Sequence, residues 1–191
     1  MHYFAAVIIP NNEDVYGQVV SAMAPYDETL NVKQETTEDG ETHWYNPAGM
    51  WDWWQIGGRW TGVWSGYDPC TDPANIETCD LCAGTGYRND EVAQKFRAKD
   101  PTWSCNGCEG TGRSVKWPTQ WQEHPGDIIP VSDLLNKSES DVPHSLVIPD
   151  GFFAPDQSFC DDPVDKEWCH KFRELLAAHR DHFAVVVDYH C

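Results

Sequence analysis

The chain opens on an unbroken apolar run over residues 4–9, of strand length, and a run without polar alternation suits a strand covered on both faces. Asn12 then offers an N-cap, Glu13 and Asp14 put acid into the first turn, and Val15, Val19 and Met23 recur at four-residue spacing until Pro25. That is the pattern of a short amphipathic helix. Near the far end Asp162 is a good N-cap with Pro163 at the first helical position, and Val164, Trp168, Phe172, Leu175 and Leu176 fall on one stripe. Residues 183–188 form a second buried-type strand. Between these, the pattern predicts strands over 59–64 and 145–148, the latter closed by the turn residues Pro149, Asp150 and Gly151. Residues 27–40 and 131–143 are polar and acidic and read as loops.

The resulting order is β-α-β, a long insertion, then β-α-β. Two such units predict an α+β class and a ferredoxin-like frame, with the helices on one face of a four-stranded antiparallel sheet. Charge locates the insertion. Residues 79–117 carry a net of +1, whereas residues 1–78 carry −10 and residues 118–191 carry −9. The expected organisation is an acidic frame, 1–78 and 118–191, interrupted by a module at 79–117.

Composition narrows the function classes. With 40% hydrophobic and 13% aromatic residues over 191 positions, the chain is too apolar for a disordered acidic tail. Its 13 Lys+Arg against 31 Asp+Glu argue against direct nucleic-acid binding, which draws its affinity from cations on phosphates, and against an anionic membrane surface. The apolar runs fall far short of the roughly 20 residues of a membrane-spanning helix. No Lys or Arg precedes the first of them, so the charged start of a signal peptide is lacking and a cytoplasmic setting is expected. There, cysteines serve as metal ligands or free thiols rather than disulfides.

The sharpest motif is Cys79-Asp80-Leu81-Cys82-Ala83-Gly84-Thr85-Gly86, repeated as Cys105-Asn106-Gly107-Cys108-Glu109-Gly110-Thr111-Gly112, with 22 residues between the two CxxC pairs. Each pair can place two thiolates on one ion at about 2.3 Å, and two pairs complete a tetrahedral Zn²⁺ shell. Glycines after each pair permit the positive φ of a sharp turn. CxxCxGxG resembles the repeat of the DnaJ-type cysteine-rich domain, and the resemblance implies zinc on Cys79, Cys82, Cys105 and Cys108. That family carries four repeats and two zincs. Two repeats make one site, and the His-Pro-Asp signature of a J-domain is absent, so co-chaperone function does not carry over, while binding of exposed peptide stays open. A closed Cys₄ shell leaves no position for substrate, which makes one structural Zn²⁺ the expectation. Cys70, Cys160, Cys169 and Cys191 lack such spacing, and Cys169-His170 and His179/His182 read as packing or surface residues rather than a second metal site.

Six of the ten Trp lie between Trp44 and Trp64. Each buried indole needs a partner for its N–H, so some of these rings are expected at the surface, where Trp and Arg mark binding hot spots. Trp51, Trp53, Trp54, Arg59 and Trp60 are the partner-binding candidates, and Gly57-Gly58 allows close approach of backbone or ligand just before Arg59. The run from Trp51 to Trp60, W-D-W-W-Q-I-G-G-R-W, with Pro149-Asp150-Gly151 and the ending Val187-Asp188-Tyr189-His190, resembles an uncharacterised family of hypothetical proteins from actinobacteria and their bacteriophages. That resemblance implies a phage-encoded factor acting in the host cytoplasm and supplies no activity.

Three functional readings follow. The first is a non-enzymatic, zinc-containing interaction factor acting on a host protein. The second is a small hydrolase or nuclease-like enzyme using Arg59, Asp188 and His190, the last two pointing to one side of a strand; a concave pocket around them supports it, and whether Arg59, Asp150, Asp188 and His190 converge is the informative observation. The third is an acidic DNA mimic. No nucleophile elbow, P-loop, dinucleotide fingerprint or HExxH is present.

Overall fold

The computed structural model describes residues 1–155 and 166–191, so Cys160, Asp162, Pro163 and Val164 lie outside the described residues. The chain is an α+β mixture that divides into two compact units, Met1–Tyr67 with Glu123–Cys191, and Asp68–Gln122. In chain order the first unit holds β1 (His2–Ile9), α1 (Val15–Met23), β2 (Lys33–Thr36), β3 (Thr42–Tyr45) and β4 (Trp53–Ile56). The second unit holds β5 (Ile76–Thr78), α2 (Glu91–Lys99) and β6 (Arg113–Val115). The chain then returns to the first unit with β7 (Ile128–Pro130), α3 (Val131–Leu134), β8 (Ser145–Ile148), β9 (Gly151–Phe153), α4 (Lys166–Ala177) and β10 (Phe183–His190).

A six-stranded sheet in the order β4-β10-β1-β8-β9, with β7 also on β10, forms the centre of the first unit. β1 is antiparallel to β10 over its whole length, from His2 opposite His190 to Ile9 opposite Phe183, and parallel to β8 on its other side. Its alternate residues enter two different cores. Phe4, Ala6 and Ile8 pack with Val131 and Leu134 of α3 and with Trp168, Phe172 and Leu176 of α4. Ala5, Val7 and Ile9 pack with Val19 and Met23 of α1. β10 splits in the same way, Ala184 and Val186 to one side and Val185, Val187 and Tyr189 to the other.

The ferredoxin-like expectation is corrected by this arrangement. In that frame both helices share one face and neighbouring strands are antiparallel. Here α1 and α4 cover opposite faces, and β1 and β8 are direct parallel neighbours. The cause lies in the strands themselves: runs apolar at every position must bury both faces, and one helical layer would leave half of those side chains in water.

Local expectations shift in instructive ways. The cap of α1 is Asp14 rather than Asn12; its carboxylate accepts the Gly17 N–H at 3.3 Å. The strand expected over 59–64 lies upstream as β4, because Gly57, Gly58 and Gly62 take φ of 70°, 57° and 84° and turn the chain out of the sheet. The loop expected over 131–143 begins with α3, whose Val131 and Leu134 are buried one turn apart. The polar stretch 27–40 contributes β2 to an exposed hairpin with β3. The second unit spans Asp68–Gln122, wider than residues 79–117, because the antiparallel β5–β6 pair ties the chain before the first knuckle to the chain after the second.

Candidate metal centre

Cys79, Cys82, Cys105 and Cys108 are all buried, and their Sγ atoms lie within 4.8 Å of one another. Cys79 Sγ is 3.9 Å from Cys105 Sγ, and Cys82 Sγ is 3.7 Å from Cys108 Sγ. A disulfide would bring sulfurs to about 2.05 Å, so these are free thiols. Sulfurs at about 2.3 Å from a common ion in a tetrahedron stand about 3.8 Å apart. The four-cysteine group is therefore positioned to hold a metal ion.

The repeat in sequence is a repeat in space. Cys79 N–H donates to the Gly112 carbonyl at 3.0 Å and Cys105 N–H to the Gly86 carbonyl at 2.8 Å, so each knuckle begins on the last glycine of the other. Within each knuckle Gly84 N–H reaches the Cys79 carbonyl and Gly110 N–H the Cys105 carbonyl, while the Thr85 and Thr111 hydroxyls sit 2.7 Å from the carbonyls of Cys82 and Cys108. A side chain at Gly86 would collide with the Gly110 carbonyl, and one at Gly112 with the Gly84 carbonyl. The last glycine of each motif is thus required by the close crossing of the two copies, as well as by its φ near 75°.

The thiols are not equivalent. Burial pushes the Cys79 thiol up to about 11. Burial acts upward on Cys108 too, but the Gly112 N–H, 3.3 Å from its sulfur, and the neighbouring thiols of Cys105 and Cys82 bring it down to about 7. A bound ion must displace the protons that the thiols still hold, so metal affinity is expected to rise with pH, by about tenfold per unit for each proton released. Competition against a chromophoric chelator between about pH 5 and pH 8 reads this directly. A flat profile would mean that the thiols are not the ligands.

In the first unit the candidate residues partly assemble. Asp188 is only 1% exposed; its Oδ2 accepts the backbone N–H of Arg59 at 3.0 Å, and its Oδ1 lies 2.9 Å from His2 Nδ1. His190 instead places Nδ1 2.8 Å from Asp52 Oδ1. The Arg59 side chain is exposed. Asp150 follows β8 at the Ile9 end of β1, whereas His2, Asp188 and His190 occupy its opposite end, so Asp150 does not join them. A Cβ on Gly58 would stand 2.5 Å from the Asp188 carboxylate, which explains the glycine beside Arg59.

Two functional-looking residues escaped the sequence reading. His2, not His190, is the partner of Asp188. Asp127, fully buried, accepts from Gly62 N–H at 2.7 Å and His124 N–H at 3.2 Å; burial raises its carboxyl above the ordinary range while those N–H groups oppose the shift. The turn over residues 57–62 is therefore held between two buried carboxylates. No local pattern signals either pairing, since Asp is ordinarily a surface residue.

Of the tryptophans in the segment, Trp64 and Trp60 belong to one core and Trp51 and Trp54 to the other. Trp51, 1% exposed, packs against Tyr26, Phe152 and Tyr189 at centroid distances of 5.4–5.9 Å, so it is a core residue and not a surface anchor. Trp53, Trp54 and Trp60 are half-buried: Trp60 stacks on Phe4, Trp54 leans on Tyr16, and Trp53 meets His2 edge-on. Within the segment Trp44 is the exposed ring (53%), and in the second unit Trp117 (72%) and Phe96 (52%) are exposed, the latter one turn after the exposed Val92 on α2.

Among the described residues no helix is long and apolar enough to cross a membrane. No family model, curated protein or solved structure matches the chain.

Proposed function

We propose that the chain is a zinc-stapled, non-enzymatic interaction protein, in which one Zn²⁺ on Cys79, Cys82, Cys105 and Cys108 holds a module that presents apolar side chains to a protein partner. The observation that carries it is the cluster of four buried thiols, all within 4.8 Å of one another, with Cys79–Cys105 and Cys82–Cys108 sulfurs 3.9 and 3.7 Å apart. Zinc suits four thiolates, and a shell with no open position suits a structural role. Val92 and Phe96, one turn apart on α2, are exposed, as are Leu81 and Trp117 elsewhere in the module, and exposed apolar groups of this kind are what interaction sites use. On the frame, half-buried Trp60 packs on the α4 side of the sheet and half-buried Trp54 on the α1 side, so these tryptophans, with half-buried Trp53 and exposed Arg59, are separate contact candidates rather than one surface. The phage-family resemblance makes the partner a host protein in the cytoplasm.

The hydrolase reading on Arg59, Asp188 and His190 has less support, because the Asp188 carboxylate is already engaged by a backbone N–H and by His2. Photo-crosslinking from position 117 inside host cells is expected to trap one protein partner. The Val92→Asp/Phe96→Asp variant is expected to lose that adduct while keeping its metal, since both side chains are exposed. An adduct of native yield in the variant overturns the proposed surface.

A further inference from the structure

His2 and His190 stand directly opposite each other in the antiparallel register of β1 and β10. Opposite residues emerge on the same face of a sheet, close enough for their side chains to meet. Their ring centroids are 5.3 Å apart and inclined by 67°. Each ring is tethered to a different carboxylate through Nδ1, His2 to Asp188 at 2.9 Å and His190 to Asp52 at 2.8 Å. An ionised carboxylate only accepts, so Nδ1 carries the proton in each neutral ring and Nε2 keeps its lone pair. Histidines that ligate metals are oriented in this way, with the ring N–H given to a carboxylate behind them.

The spacing agrees with a shared ion. Two imidazole nitrogens about 2.1 Å from one metal at a near-tetrahedral angle, each about 1.2 Å from its ring centre, put the centres about 5 Å apart. The observed 5.3 Å matches this. Access is open as well, the side chains of His2 and His190 being 25% and 40% exposed. Trp53 packs edge-on to His2 at 5.7 Å and limits its rotation. The two carboxylates behind the rings add negative charge that favours a dication.

We propose that His2 and His190 form a second metal site, separate from the thiolate cluster, that binds a divalent transition metal through both Nε2 atoms. Asp188 and Asp52 are its outer partners. Two protein ligands leave the remaining coordination positions to water or to an incoming ligand, so this site is exchangeable where the four-thiolate site is closed.

The test uses the whole chain with its thiolates filled by one equivalent of zinc. Titration with Ni²⁺, followed by calorimetry and by paramagnetic broadening of amide signals, is expected to show one further ion per chain, with broadening centred on residues 2, 53 and 190. His2→Ala and His190→Ala should each weaken binding by more than about tenfold, and Asp52→Asn, an exposed outer partner, by roughly ten- to a hundredfold. Undiminished Ni²⁺ binding in the His2→Ala/His190→Ala variant, broadening centred on His179 and His182, or no saturable binding by the native chain overturns the proposal.

Discussion

Removal of the metal, by a chelator or by the Cys82→Ser/Cys108→Ser substitution, is expected to unfold Asp68–Gln122 while the other unit stays folded. The second unit has 55 residues, and its one buried cluster consists of the four cysteines themselves. Small domains without a sizeable apolar core depend on a staple such as a metal. A structural zinc site supplies about 10–16 kcal/mol of apparent binding energy, as large as the whole stability of an ordinary domain. The first unit owns two extended apolar clusters, built on β1 and β10, and draws nothing from the thiols. Hydrogen exchange should separate the two: amides of the knuckles lose protection in the metal-free protein, and those of β1 and β10 keep it. Protected knuckle amides without metal would show that the module holds itself together by other means.

The second large effect belongs to Trp51. Truncation to alanine is expected to cost about 3–5 kcal/mol of frame stability, because the indole fills a site between Tyr26, Phe152 and Tyr189 that cannot collapse around a methyl group. Trp54, half-buried on the same side of the sheet, should cost clearly less. Urea unfolding monitored on the frame measures both. The metal content of the Trp51→Ala protein should not change. A cost below about 1 kcal/mol for Trp51→Ala would contradict its place in the core and restore it as a surface anchor.

The legible parts of the molecule were those whose cause is local. The apolar run of β1, the four-residue recurrence in α1, the stripe of Trp168, Phe172 and Leu176 and the run of β10 all reappear at their expected places. The two CxxC pairs come together as their spacing implies. The topology was also written in the runs, since β1 and β10 carry apolar residues on both faces and so require cover on both, which a single helical layer cannot give. Residues 59–64 misled because Trp and Val carry strand propensity while three glycines with positive φ control the backbone. What could not be read locally is the pairing across long sequence distances: Asp188 with His2, 186 positions apart, and Asp127 with Gly62, 65 apart. A carboxylate becomes buried only when the fold delivers its donors, and no window of sequence contains both.

The account rests most heavily on the four-thiolate cluster, and X-ray absorption at the zinc edge tests it most directly. Native protein carrying one equivalent of metal should show zinc surrounded by four sulfur atoms at about 2.3 Å, with no nitrogen or oxygen in the inner shell. A shell containing nitrogen or oxygen, or fewer than four sulfurs, would contradict the assignment of Cys79, Cys82, Cys105 and Cys108 as one closed site.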